Sequence, residues 1–130
     1  MLKSKWSLAA GLALVATQLV AAEDMTGDPA KGEKVFRKCQ ACHQVGEDAK
    51  ARTGPVLNGV IGRTAGTWDD FNYSDAMKAA GANGLVWDKD SLAAFLEKPK
   101  DFVEGTKMTF AGLRKDSERA DVIAYLATFE

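Results

Sequence analysis

Two cysteines and the chain's only histidine fall within five residues, Cys39-Gln40-Ala41-Cys42-His43, and no other feature constrains the fold as strongly. About one helical turn is enough to bring the three side chains together. Thiols at this spacing can each add to a haem vinyl group to form thioethers, and the adjacent imidazole then falls where it can ligate the iron. A chain built this way must wrap the rest of itself around a flat, largely apolar group.

Other uses of the motif leave one of its residues without a task. A structural zinc site needs four ligands, and no second Cys or His pair exists. A thioredoxin-like redox pair wants a preceding strand and does not employ the histidine, whereas this segment lies among helix formers. A disulfide across two intervening residues closes so short a loop that it adds little stability. One covalent haem c, joined through Cys39 and Cys42 with His43 as the proximal ligand, uses all three residues.

The N-terminus has the pattern of a secretory signal peptide. Lys3 and Lys5 precede an apolar run centred on Leu8 to Val15, and Val20-Ala21-Ala22 precedes the acidic Glu23-Asp24. Ser7, Thr17 and Gln18 interrupt a stretch already short for a spanning helix, which needs roughly 17–25 apolar residues. Cleavage is expected after Ala22, with residues 1–22 as the leader and 23–130 as one domain. Export together with a covalent haem points to the periplasm. Whether the leader is removed also decides between a free carrier and a membrane-tethered subunit, and the mature N-terminus would settle that.

A domain of this size buries only about 60–70% of its unfolded surface, so a large apolar cofactor should form much of the core. Loss of Lys3 and Lys5 with the leader leaves 15 basic against 18 acidic residues. That balance argues against nucleic acid as a partner.

Helix signals lie at both ends of the mature chain, and no strand pattern appears. Asp28-Pro29 reads as an N-cap with proline in the first helical position, opening a helix that carries Ala30, Val35 and Phe36 to Cys39. Gln44 to Asn72 is rich in glycine and turn residues, too long for an ordinary connection, and is expected to cover the haem. Ser74 should cap a short helix stopped by Gly81, and Asp88 to Ser91 should start another that ends by Lys98. A last helix is expected with Ser117 as its cap and an apolar face of Val122, Ile123, Leu126 and Phe129, packed on the first helix. The fold class is therefore all-α, a single domain of short helices and long loops around one haem.

The sixth iron position distinguishes a carrier from a haem enzyme. Past the initiator, the soft donors that remain are Met25, Met77 and Met108. Met25 lies near a new terminus and Met77 on a short helix, where core packing is the default. Met108 lies in a non-helical stretch, Gly105 to Gly112, and leads the three; filling a core gap remains the alternative for it.

From Gly27 to Tyr125 the chain resembles the class I cytochromes c, in particular the group that includes mitochondrial cytochrome c and the small soluble cytochromes of purple and related bacteria. The matching residues are Gly32 and Phe36, Cys39-Cys42-His43, Thr53-Gly54-Pro55 with Leu57 and Gly59, Gly62-Arg63, Phe71 to Asp75, Trp87, Pro99, Gly105 to Met108, Phe110-Ala111-Gly112 and Tyr125. The resemblance implies that Met108 is the distal ligand and that the Pro55 carbonyl accepts from His43. It also implies that Arg63, Tyr73 and Trp87 surround the haem propionates, and that Gly32, Phe36 and Tyr125 lie where the terminal helices cross. Two positions depart from the mitochondrial pattern: Phe95 stands where a tyrosine is common, and Met77 where an asparagine is. Each removes a polar contact beside the haem.

The expected function is one-electron transport between larger redox complexes, with His43 and Met108 on the iron in both oxidation states and no bond chemistry catalysed. The competing function, a haem enzyme or gas-binding protein, needs an open distal position and polar distal groups. By resemblance alone, the donor would be a cytochrome bc complex and the acceptor a terminal oxidase or photosynthetic reaction centre. A monomer is expected, docking through a basic rim of Lys34, Lys38, Lys98, Lys100 and Lys107 and without stable membrane insertion once the leader is lost.

Overall fold

The computed structural model describes residue 11 and residues 26–130. The expected leader, its cleavage site and Met25 thus lie outside the described residues, residue 11 apart. Five helices follow in order: α1 (Pro29–Phe36), α2 (Asp75–Ala82), α3 (Lys89–Glu97), α4 (Pro99–Phe102) and α5 (Asp116–Leu126). Among the described residues the only β-type pairing is one isolated antiparallel bridge, Thr64 to Val86. The all-α architecture follows the sequence.

The terminal helices cross at closest approach through glycine. A Cβ on Gly32 would lie 1.9 Å from the Asp121 carbonyl oxygen and 2.8 Å from Tyr125 Cβ, and one on Gly27 would lie 1.9 Å from the Ala120 oxygen. With hydrogen at both positions, backbone meets backbone. The Phe36 and Tyr125 rings then pack at 5.4 Å, and Phe129 stands edge-on to Tyr125 at 5.0 Å. The Asp28 N–H donates to the Asp121 carboxylate at 2.8 Å, and Lys38 pairs with Glu118 at 3.0 Å. Both polar contacts flank the crossing and set its register. Beneath it, Phe36, Val122, Ile123 and Leu126 join Leu92, Leu96 and Leu113 in one buried cluster.

Local chemistry explains most of the boundaries. Asp28 accepts from the Ala30 N–H with Pro29 in the first turn, and Ser74 accepts from the Met77 N–H. Asp88 and Ser91 form a reciprocal capping box that opens α3, which ends at Glu97. Pro99 then starts the single turn of α4, which the sequence pattern did not announce.

Three expectations are corrected. Ser117 does not cap α5, which begins one residue earlier; Lys115 occupies the cap position without a side-chain bond. The first turn of α5 is tied down from within instead, by Arg119, which donates to the Leu113 carbonyl and to Asp116. Gly81 does not stop α2, which runs through it to Ala82. It is glycine because a Cβ there would lie 1.9 Å from the Ala65 oxygen, and the left-handed residue beyond the helix is Gly84, at φ +99°. Phe129 does not extend the apolar face of α5, since the helix ends at Leu126 and the ring reaches Tyr125 from a turn.

Gly32→Ala should therefore cost about 2–4 kcal/mol, because neither backbone can give way. Gly46, at φ +108° with open space around it, should lose only about 1 kcal/mol on the same change. Denaturant unfolding of the two haem-loaded variants checks the difference.

Candidate haem site

The Cys39 to His43 motif follows α1 as a run of turns. The Cys39 and Gln40 N–H groups donate to the Phe36 carbonyl, and Cys42 and His43 donate to Cys39. The two free thiols are thereby held half-buried on one side of the chain. Burial, aided by Cys42 and opposed by Lys38, raises the Cys39 pKa to about 11. The thiol stays protonated at neutral pH.

His43 is oriented by the loop that follows. Its Nδ1 lies 2.8 Å from the Pro55 carbonyl oxygen, which can only accept, so Nδ1 carries the proton and Nε2 keeps a free lone pair. Gly54 makes this possible: a Cβ there would lie 2.4 Å from His43 Cε1. The Gly54 N–H in turn donates to the Cys42 carbonyl at 2.9 Å. Burial lowers the His43 pKa, with the Pro55 bond opposing and Arg63 contributing to the shift. The imidazole is neutral and ready to bind a metal through Nε2.

A cavity of about 240 Å³ opens in front of the motif, and a second of about 90 Å³ continues inward from it. They share five lining residues: Cys39, His43, Tyr73, Met77 and Met108. Cys42, Gly54, Phe71 and Phe110 also line the outer chamber, and Pro55, Arg63, Trp87, Phe95 and Leu96 line the inner one. All eight residues expected at the site, Cys39, Cys42, His43, Pro55, Arg63, Tyr73, Trp87 and Met108, thus face this cleft. Of the five lysines expected at its rim, Lys38 and Lys107 line the outer chamber, whereas Lys34, Lys98 and Lys100 do not.

The lining suits a flat apolar group that bears acidic substituents. The walls are mostly aromatic and aliphatic, with serine and threonine in the outer chamber only, and two thiols and a free Nε2 are among the lining groups. Arg63 supplies the charge. Its guanidinium donates to the Val56 and Asn58 carbonyls and lies 5.1 Å over the Trp68 ring. Among the described residues it forms no ion pair, so a half-buried cation has only neutral partners, and an anion entering the cleft would satisfy it. The haem c motif and the cleft therefore fit each other.

Sequence reasoning missed Trp68, whose backbone N–H donates to the Tyr73 hydroxyl at 3.1 Å while its ring underlies Arg63. It sits in an aperiodic loop, and only the fold brings it to those partners. Phe95 packs on Trp87 at 4.9 Å, and Met77 is buried against both chambers, which leaves that side of the cleft apolar.

Comparison with known proteins agrees with this geometry. A family model described as cytochrome c matches residues 29–130. The chain is 53% identical over 119 residues to a cytochrome c2 of Rhodomicrobium vannielii, covering 90% of this chain and 93% of the relative. It is 52% identical over 101 residues to the cytochrome c-550 of Ancylobacter novellus, covering 78% and 94% of the two chains. The solved structure of cytochrome c2 from Rhodospirillum centenum matches with a TM-score of 0.76 at 48% identity, covering 79% of this chain and 98% of that one.

Gly54→Ala tests the site at its tightest point. The added methyl should push the imidazole edge off the Pro55 carbonyl. The expected result is at least a tenfold smaller yield of haem-loaded protein, on the order of the 10–100-fold cost typical of losing a ligand's supporting bond. Unchanged yield and an unchanged His43 ring signal by NMR would contradict this placement.

Proposed function

The chain belongs to the cytochrome c family and is an electron carrier with a covalent c-type haem, and we propose that His43 and Met108 are the two axial ligands of its iron. The bound group supplies the one-electron ferric/ferrous couple. The chain's own part is to hold two ligands in place through both states, so that little has to move when an electron arrives or leaves.

His43 does this through its fixed tautomer and its bond to Pro55. Met108 is supported by its place in the cleft: it lines both chambers, as His43 does, from a segment whose side chains are not committed to a helix face. Met77 also reaches both chambers, but from α2 and within the buried cluster, where filling space is the ordinary task of methionine. Cys39 and Cys42 would carry the thioethers, and Arg63, Tyr73 and Trp87 would receive the propionates. Phe95 and Met77 act on the iron in opposite directions: an apolar wall disfavours the extra charge of the ferric state, while the loss of a donor to the ligating sulfur favours that state. On this reading the protein catalyses no bond chemistry.

The same reading places the mature protein, residues 23–130, in the periplasm after loss of the leader. No helix among the described residues is long and apolar enough to cross a membrane. Its partners would be membrane redox complexes, a cytochrome bc complex as donor and an oxidase or photosynthetic reaction centre as acceptor. Lys38 and Lys107, at the outer chamber, would meet an acidic partner surface.

Two measurements test these assignments. Met108→Ala should let the reduced protein bind carbon monoxide, abolish the far-red sulfur-to-iron band of the oxidised form and lower the potential. Survival of that band would make Met77 or another group the ligand and overturn the assignment to Met108. For docking, second-order electron transfer to a partner should slow by about tenfold or more between 0.01 M and 0.1 M salt, as the Debye length falls from about 30 Å to about 10 Å. Lys107→Glu should remove most of that dependence and Lys89→Glu little of it, and equal losses from the two would rule out the rim.

A further inference from the structure

We propose that Arg119 is a positioning residue for Met108, acting through the loop that carries it. The inference rests on Met108 being the distal ligand.

From Val103 to Lys115 the chain forms no helix of its own except at its very start, where the Val103 N–H closes α4 on the Pro99 carbonyl. The Thr106 N–H donates to Val103 at 3.1 Å, and the Met108 N–H donates only to the Thr106 hydroxyl, at 3.3 Å. Among the described residues, 107–112 make no backbone-to-backbone hydrogen bond at all. The segment is therefore a span held at its ends. Its first anchor is the turn at Val103. Its second is Leu113, which is 3% exposed and whose N–H donates to the Leu96 carbonyl at 2.7 Å. Gly112 is pressed against the Glu97 carbonyl, at φ +116°.

Arg119 completes the second anchor. It is 8% exposed, a buried cation on the inner side of α5, and its Nη1 donates to the Leu113 carbonyl at 2.6 Å. Its other terminal nitrogen is held by the exposed Asp116. Leu113 thus has both backbone groups bonded, one to α3 and one to a charged donor on α5, and charge-assisted bonds are about twice as strong as neutral ones. Removing that donor leaves a buried carbonyl without a partner. The cost falls on the state in which the loop is closed, because an opened loop exposes the same carbonyl to water. Arg119 touches neither cavity, and its one bond to the segment that carries Met108 is the one to Leu113.

The test uses the haem-loaded protein with carbon monoxide as the probe of an open distal position. Arg119→Met keeps the apolar stem and removes the donors; it should raise the rate of carbon monoxide binding to the reduced protein by about tenfold to a hundredfold. Arg119→Lys, with one compact donor group in place of the fork, should fall between it and the parent. Asp116→Ala, which leaves the arginine in place, should give a smaller rise and serves if Arg119→Met fails to fold. Ile123→Val is the control: it trims a residue that is 0% exposed, lies in neither cavity and shares the buried cluster with Leu113, so it lowers stability while leaving the Leu113 carbonyl bonded to Arg119. If Arg119→Met speeds carbon monoxide binding no more than Ile123→Val, or if Lys and Met at position 119 behave alike, the inference is wrong. Met108→Ala separates the premise from the inference, since a Met108→Ala protein that binds carbon monoxide no faster than the parent removes Met108 as ligand whatever the Arg119 variants do.

Discussion

The hydrogen bond from His43 Nδ1 to the Pro55 carbonyl joins the two parts of the chain on which the cleft depends, the thiol motif after α1 and the long loop beyond it. It decides three things at once. It selects the tautomer that leaves Nε2 free, it fixes the plane of the ring, and it draws the loop so close to that ring that only glycine fits at position 54. The return bond from the Gly54 N–H to the Cys42 carbonyl locks the same two segments from the backbone side. A metal ligand held in this way changes little between oxidation states, which is what an electron carrier needs of it.

The opposite side of the cleft is built on another principle. Met108 sits in a span fixed at Val103 and Leu113 and free of backbone pairing over residues 107–112, so its position is set by the ends and by what the side chain itself binds. The terminal helices connect the two sides. α1 delivers the cysteines and α5 holds Leu113 through Arg119, and the helices cross with backbone touching backbone at Gly32 and Gly27. The crossing thereby couples the proximal motif to the distal loop.

Charge is distributed in keeping with this division. Arg63 faces the inner chamber with carbonyl and indole partners only, whereas Lys38 and Lys107 stand at the outer one. A half-buried cation with only neutral partners and an exposed pair at the opening suit different tasks, holding the acidic edge of a cofactor and meeting an acidic partner. Lys38 is also bonded to Glu118 across the helix crossing, so part of its charge is already neutralised and Lys107 is the freer of the two.

The sequence by itself determined the chemistry and much of the fold. Two cysteines, one histidine and their spacing leave a single economical use, and the caps at Asp28, Ser74 and Asp88 mark helix starts through bonds that span only two or three residues. Such signals are local, so they can be read without knowing the fold. Tertiary structure decided where distant segments take over local tasks. Ser117 looked like a cap, but the start of α5 is set by Arg119 reaching Leu113; Gly81 looked like a stop, but it is a contact point for Ala65. Trp68 carries no pattern at all, and its place beneath Arg63 and beside Tyr73 exists only once the loop has closed. Five lysines read alike in the sequence, and only the folded chain separates Lys38 and Lys107 from the other three, because which lysines border a cleft depends on loops meeting that lie far apart along the chain.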